Sequence, residues 1–360
     1  MRKFLCLKFI LFTFLLSLFP TMAVAEDISQ KQISLDLNQA IKRAFAYNPT
    51  LKNDEIELDK KTYLKDRAAS YVRYTPVDYS FNPSDTNVLS TYTKAEFAER
   101  QQEKKIESDK RQLIIDVKTA YYNVLLKQQL LLQAQKNEYL AQVKFLQAKA
   151  KKEQGLITEL DLLNASAAVE SAKASVKESQ TGLDNAYSDL NKLVNLDISA
   201  RPVLTDTIEF KPEKIDVESK ANIAAECSYE SWSAEEAAKI ADAIKIFEKY
   251  YDIGDWNVDQ AKNTSNDTKD LIRKQARSLG LGLQYMEKKY DEIKANRKQA
   301  EEALRVVKMQ QQVGLATKDA VLNAEIAYEK LKYAEMELAS QYTTKLDLLL
   351  KLTGELNINI

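Results

Sequence analysis

Residues 155–170 read Gly-Leu-Ile-Thr-Glu-Leu-Asp-Leu-Leu-Asn-Ala-Ser-Ala-Ala-Val-Glu, and residues 314–329 read Gly-Leu-Ala-Thr-Lys-Asp-Ala-Val-Leu-Asn-Ala-Glu-Ile-Ala-Tyr-Glu. They align without a gap, and the same spacing of 159 residues also matches Lys173 to Lys332, Leu190 to Leu349, Lys192 to Lys351 and Leu193 to Leu352. Gly155 and Gly314 each follow a long helix-favouring run and stand where a left-handed helix cap is expected. Thr158 and Thr317, three residues on, are the residue type that opens the next helix by accepting a backbone hydrogen bond. Each stretch therefore reads as the tip of a helical hairpin, and the chain holds two copies of one hairpin.

Helix breakers are scarce around these tips. Between Pro83 and Pro202 the only glycines are Gly155 and Gly182, and no proline follows Pro212. The pattern predicts an outgoing helix from about residue 94 to 154, roughly 90 Å long, with Tyr139, Val143, Leu146 and Ala150 as an apolar stripe. A return helix over 158–194 carries Ala165, Ala168, Ala172 and Ser175, small residues that let neighbouring helices approach closely. The second hairpin repeats the plan, with Ile293, Ala300, Leu304 and Val307 as the stripe of its outgoing helix and a return helix over 317–352.

A shorter helical segment precedes each hairpin. In the first, over 35–69, Asp36 can cap a helix and Asn48-Pro49-Thr50 breaks it from the next. The second, over 216–251, has the same size and place, and Tyr47 and Tyr229 flank comparable interruptions. The expected fold class is all-α, with long antiparallel hairpins in two tandem repeats and at most a rudimentary β part. The expected division is a signal peptide at 1–25, then a first repeat at 26–196 made of short helices 35–69, a loop 70–93 and the hairpin 94–195. A linker at 197–214, with Pro202 and Pro212, leads to a second repeat at 215–360 made of short helices 216–251, a loop 252–266 and the hairpin 267–353.

Composition excludes several function classes. Arg2, Lys3 and Lys8 precede an apolar run from Phe9 to Phe19 and an Ala23-Val24-Ala25 site, the pattern of a secretory signal cleaved before Glu26. Cys6 lies inside that segment, away from the cleavage point, which argues against a lipid anchor. Loss of residues 1–25 moves the net charge from −1 to −4 and leaves Cys227 as the one cysteine, so no internal disulfide is available. A near-neutral chain without a basic stripe argues against nucleic acid. Histidine is absent, which removes the commonest general base and metal ligand together. No nucleophile elbow, phosphate loop or zinc motif occurs, and the acidic residues alternate with lysines at helical spacing as on a solvated face. No enzyme, cofactor or metal site is expected.

Several stretches resemble the bacterial outer membrane efflux proteins, the TolC-like family. Leu35-Asp36-Leu37-Asn38-Gln39-Ala40-Ile41 with Asn48-Pro49-Thr50-Leu51 is similar to that family's start, and Ala120-Tyr121-Tyr122-Asn123-Val124-Leu125 to its early long-helix motif. Val313-Gly314-Leu315-Ala316-Thr317 resembles its helix-turn-helix tip, with Gly155-Leu156 the partner from the first repeat. The resemblance implies a homotrimer whose twelve helices form a hollow α-barrel in the periplasm, and strands that cross the outer membrane. It also implies a periplasmic adaptor protein and an inner-membrane transporter docked at the tips, so that substrates are exported through one duct.

The family's strands sit between short helix and long helix in each half. Here the first gap, 70–93, has fragments of alternation in Val72-Arg73-Tyr74 and in Val77-Asp78-Tyr79-Ser80-Phe81, interrupted by Pro76 and Pro83. The second gap, 252–266, is too short for two membrane-crossing strands of about 9–11 residues each, and its Asp252, Asp255, Asp259 and Asn263 make no lipid-facing side. The expectation is a relative poor in barrel strands or lacking them. The alternative reading is a soluble extracytoplasmic coiled-coil adaptor or spacer of the same descent, without channel activity.

The residues Gln154, Gly155, Leu156, Thr158, Val313, Gly314, Leu315 and Thr317 are the adaptor-docking candidates, weighed against ordinary helix capping by the same residue types. The resemblance also implies acidic residues just beyond the tips that narrow the pore. Asp161 and Asp319 are the candidates, weighed against first-turn aspartates that favour the helix dipole. Tyr121, Tyr122 and Tyr139 read as packing residues and Cys227 as a small buried hydrophobe. Trp232 and Trp256 flank the second short segment, and each suits either a packing contact or a membrane interface.

Overall fold

The structure, a computed structural model, describes residues 34–73, 83–248 and 250–358. The expected signal peptide and the alternation over 74–81 lie outside the described residues. Ser34–Ile360 forms one compact unit.

Strand β1 (Ser34–Leu35) leads into α1 (Leu37–Tyr47) and α2 (Pro49–Arg73). The first hairpin follows, with α3 (Pro83–Glu153) outgoing and α4 (Glu159–Leu193) returning. The linker contributes β2 (Val203–Leu204), and α5 (Val217–Cys227), α6 (Tyr229–Ile244) and a 3-10 turn (Lys245–Phe247) complete the second short segment. The second hairpin is α7 (Tyr251–Gln312) and α8 (Lys318–Leu352). The β part is two residues of parallel pairing, Ser34 with Val203 and Leu35 with Leu204. At the usual rise per residue α3 and α7 are roughly 105 and 95 Å long.

Local chemistry places the breaks. Asp36 accepts from the Gln39 N–H at 2.7 Å and closes a capping box on α1. Asp216 and Ser228 cap α5 and α6 by accepting the N–H groups of Ser219 and Ser231, without the reciprocal bond of a capping box. Asn48, in extended backbone before Pro49, accepts from the N–H groups of Thr50 and Leu51 and opens α2. Pro49 and Pro83 stand at first helical positions, where the missing N–H costs nothing.

Each half has its own core. In the first, Ile41, Ala44, Ile114, Val117, Tyr121, Leu190 and Val194 bury against one another; in the second, Ala221, Ala224, Ala276, Leu283, Tyr342 and Leu349 do. Two buried tyrosines pin the linker. The Tyr121 hydroxyl donates to Leu35 O at 2.9 Å and accepts from the Asp206 N–H, while the Tyr342 hydroxyl accepts from the Glu213 N–H at 3.0 Å and donates to Glu287. Phe210 stacks on Tyr290 with centroids 3.8 Å apart.

The seam between the halves, α3 against α8, is largely polar. Lys118 meets Asp347 at 2.8 Å, Lys351 donates to Gln112, and Gln129 and Lys136 both hold the buried Glu329. Leu140, Leu322 and Ile326, with Val143 beside them, make a small apolar patch within that seam.

Four expectations need correction. The outgoing helices start earlier than 94 and 267, at Pro83 and Tyr251. Residues 252–266, expected as a loop, are the first four turns of α7, and residues 70–73 and 83–93 of the other expected loop are helical too. The reason is visible in the contacts: Gly254, Val258 and Ser265 bury one narrow side of α7, and a Cβ on Gly254 would meet Lys245 O at 2.9 Å. Asp252, Asp255, Asp259 and Asn263 form the polar side of an amphipathic helix, spaced by three or four residues. Third, the stripe read on α3 splits. Val143 is half-buried, but Leu146 and Ala150 are exposed, and Tyr139 is exposed beneath the Lys318 ammonium, 4.7 Å from its ring centre. Fourth, Cys227 is exposed, because the final turn of α5 buries Ala224, Ala225 and Ser228.

Candidate functional site

Both tips are built by one hydrogen-bond scheme. Gly155 has φ +71° and Gly314 φ +77°, backbone that glycine adopts without the Cβ penalty. The Leu156 N–H reaches back to Lys151 O and the Gly155 N–H to Lys152 O, both at 2.9 Å. At the second tip the Leu315 N–H bonds Gln310 O at 2.8 Å and the Gly314 N–H bonds Gln311 O at 3.0 Å. This pair of crossed bonds is the Schellman motif, which satisfies the last carbonyls of the outgoing helix and turns the chain. No other atom lies within 4 Å of where a Cβ would sit on either glycine, so the glycines answer to backbone geometry alone.

The return helices start differently. Thr158 and Asp161 cap each other: the Asp161 N–H donates to the Thr158 hydroxyl oxygen at 3.2 Å, and the Thr158 N–H donates to the Asp161 carboxylate at 2.9 Å. Thr317 accepts from the Ala320 N–H at 3.4 Å, and alanine there gives nothing back. Asp319 instead accepts from the Gln147 amide on α3, which ties the second tip to the first hairpin. The Thr158 hydroxyl and N–H hold the Asp161 carboxyl below the usual range, and Thr317 with Gln147 does the same for Asp319. Both are carboxylates at neutral pH.

What the tips present outward is apolar. Leu315 is 80% exposed, Val313 69% and Leu156 67%. Leu160 and Leu163 continue from Leu156 along one face of α4, and Val306 and Met309 precede Val313 along one face of α7, all exposed. These four were not singled out in the sequence. Their helical spacing is visible there, but it equally fits a buried stripe, and only the packing shows that none of the described elements covers them. Gln154 and Thr158 join the first tip's surface, with Lys152 paired to Glu159 across the turn at 3.1 Å. The small-residue side of α4 is also partly open, since Ala168 and Ser175 are exposed.

Tyr121 and Tyr122 are packing residues, buried edge to face with centroids 6.3 Å apart. Trp232 is half-buried on α6, whereas Trp256 is 68% exposed on α7. Among the described residues no three His, Cys, Asp or Glu side chains converge as a metal site, and no helix is long and apolar enough to cross a membrane.

No known family's sequence model and no curated protein matches the chain. Solved structures do match. The Campylobacter jejuni CmeC outer membrane channel aligns over 89% of this chain and 86% of its own, with TM-score 0.66 and 12% identity. The Vibrio cholerae outer membrane protein VceC aligns over 89% and 97%, with TM-score 0.61 and 16% identity. The open-state MtrE channel of Neisseria gonorrhoeae aligns over 89% of both chains, with TM-score 0.62 and 16% identity. The likeness is one of fold: the chain has the helical architecture of TolC-like outer membrane channels.

Proposed function

We propose that the chain is an exported, non-enzymatic duct component of an efflux assembly in the cell envelope, at the outer membrane side. The observation that supports this best is the pair of matching tips with Leu156, Val313 and Leu315 held outward. Exposed leucine at the end of a long rigid arm is costly in water and serves to dock a partner. In this reading three copies surround a pore, because neither hairpin covers its own apolar side and closed rotational assembly covers all of them equally. A periplasmic adaptor and an inner-membrane transporter engage Gln154, Gly155, Leu156, Thr158, Val313, Gly314, Leu315 and Thr317. Asp161 and Asp319, ionised beside the tips, supply an acidic ring at the pore's narrow end.

The test uses the host's own efflux. Leu156→Asp with Leu315→Asp should leave oligomeric state and helix content unchanged, and raise accumulation of efflux dyes to the level of a strain without the gene. Normal dye efflux by the double variant would refute tip docking. A purified chain that stays monomeric at micromolar concentration, in buffer and in detergent alike, would refute the assembled duct.

A further inference from the structure

A cavity of about 210 Å³ opens between α7, α8 and the linker, roughly 25–35 Å along α7 from Gly314. Ile208 of the linker, Met336 of α8 and the Tyr290 ring of α7 give it apolar walls, while Arg297, Tyr328, Lys332 and Glu335 supply its polar groups. Glu335 is already engaged on both oxygens: the Tyr290 hydroxyl donates to one at 2.9 Å, and Arg297 Nε lies against the other. The Arg297 guanidinium keeps unused donors. Its Nε–H is buried without a hydrogen bond, and the Glu301 carboxylate stands 3.6 Å from Nη1, beyond hydrogen-bond reach. Lys332 is half-buried and makes no hydrogen bond or ion pair among the described residues.

The two hairpins show that folding does not call for this arrangement. At the spacing of 159, Glu170 and Lys173 of α4 match Glu329 and Lys332 of α8. On α4 the pair closes on itself at 2.8 Å, at the surface. On α8 the carboxylate of Glu329 is turned into the seam, where Lys136 holds it at 2.7 Å and Gln129 at 2.6 Å, so Lys332 loses its partner. The first-hairpin residues that match Tyr290, Arg297, Tyr328 and Glu335 are Leu131, Glu138, Val169 and Val176. The first arm forms without any of the four. A half-buried ammonium without a partner carries a desolvation cost that nothing in the chain offsets, and an anion in the cavity would offset it. Arg297 and Lys332 against Glu335 leave a net charge of one positive unit, which a monoanion balances and a dianion overshoots. The apolar walls in turn suit a hydrocarbon body. We propose that this cavity binds a small organic monocarboxylate, its carboxylate held by Lys332 and Arg297 and its apolar body against Ile208, Met336 and the Tyr290 ring. The site lies apart from the tips and does not depend on tip docking.

The probe is benzoate, titrated at constant ionic strength into the chain from Glu26 onward, which contains the whole compact unit. Calorimetry and saturation-transfer NMR should report a single site per chain with Kd on the order of 1 mM. Lys332→Gln removes a charge that holds no partner, so helix content and melting temperature should stay and affinity should fall at least ~10-fold. Lys173→Gln, at the matched position of the first hairpin, should bind as wild type does, and so should Leu156→Asp/Leu315→Asp. Benzamide, neutral and of the same shape, should bind at least ~10-fold more weakly than benzoate, and inorganic phosphate at equal concentration should not displace benzoate. Absence of benzoate binding, full affinity in Lys332→Gln, equal binding of benzamide, or displacement by phosphate would overturn the proposal. So would binding that disappears as the protein is concentrated and its copies associate, because that result assigns the cavity to a side chain of a neighbouring copy.

Discussion

Removing one charge of the α3–α8 seam should harm the fold far more than replacing both. The Lys118 ammonium lies 2.8 Å from the Asp347 carboxylate, with side chains 22% and 6% exposed. Burial raises the Asp347 pKa above its ordinary 3.8 despite the attraction of Lys118. The sign follows: the ionised carboxylate detracts from stability, by an amount absent below pH 3.8 that builds as pH rises through the folded value. Asp347→Ala strands an ammonium with limited access to water, a cost of ~2–3 kcal/mol, at or below the low end for buried pairs because lysine can extend toward solvent. Lys118→Ala strands the better-buried carboxylate, costing ~3 kcal/mol and pushing its pKa higher. The double change Lys118→Met/Asp347→Leu removes both desolvation costs at similar volume and should fall within ~1 kcal/mol of wild type. Urea unfolding followed by far-UV circular dichroism, at fixed protein concentration and neutral pH, measures the three variants against wild type. Single-variant costs under ~0.5 kcal/mol, or a double variant as unstable as the sum of the singles, would refute this account of the seam.

Two further outcomes follow from local geometry and charge. Gly155→Ala and Gly314→Ala should each cost ~1–2 kcal/mol through left-handed backbone alone, whereas Gly182→Ala, whose new Cβ meets only the flexible Lys127 side chain at 3.9 Å, should stabilise by ~0.5–1 kcal/mol; thermal melts of the three variants check the contrast. Glu235 is held at a pKa of about 2 by Lys239 and Lys269, the latter across to α7, so its stabilising effect is present above its ordinary 4.5 and lost as pH falls toward 2. Because Glu235 is partly exposed, Glu235→Gln should remove less than ~1 kcal/mol of that acid-side slope, read from melting temperature against pH.

The tips were legible in the sequence because their determinants are local. A glycine that must take positive φ and a threonine that must accept a backbone bond are both identifiable within four residues. The start of α7 was not legible, for an equally physical reason. Its first turns bury only Gly254, Val258 and Ser265, Gly254 against Lys245 of the 3-10 turn, and so narrow a side gives no hydrophobic period to read. Polar Asp252, Asp255, Asp259 and Asn263 then suggest a loop, although in space they are the wet side of a helix. Leu160, Leu163, Val306 and Met309 show the converse limit. Helical spacing places apolar residues on one face, but whether that face meets protein or water depends on which helices lie beside it.

The two repeats differ in a way that points to where constraint acts. Asp36 and Asp216 cap α1 and α5 at a spacing of 180 residues, and Asn48 and Ser228 open the following helices at the same spacing. Beyond the tips the spacing is 159: Gly155 with Gly314, and Asn195, at φ 51°, with Gly354 at φ +75°; the N–H after each of these two reaches back five residues, Leu196 to Asn191 O and Glu355 to Leu350 O. The second half is therefore 21 residues shorter, and all of that difference lies between the short helix and the tip. Both return helices are 35 residues long, so the arms from tip to final cap are equal. An outgoing helix can gain or lose turns at its start only if nothing there depends on register with its twin. Equal return arms with matched caps at both ends require the reverse, a fixed distance from core to tip in both halves. Under the proposed docking, equal arms would present both tips to one partner at the same level. The unequal starts, one reached through α2 and the other through the α6–α7 turn, leave the far ends different, and in the second half that end exposes Tyr251, Ile253 and Trp256.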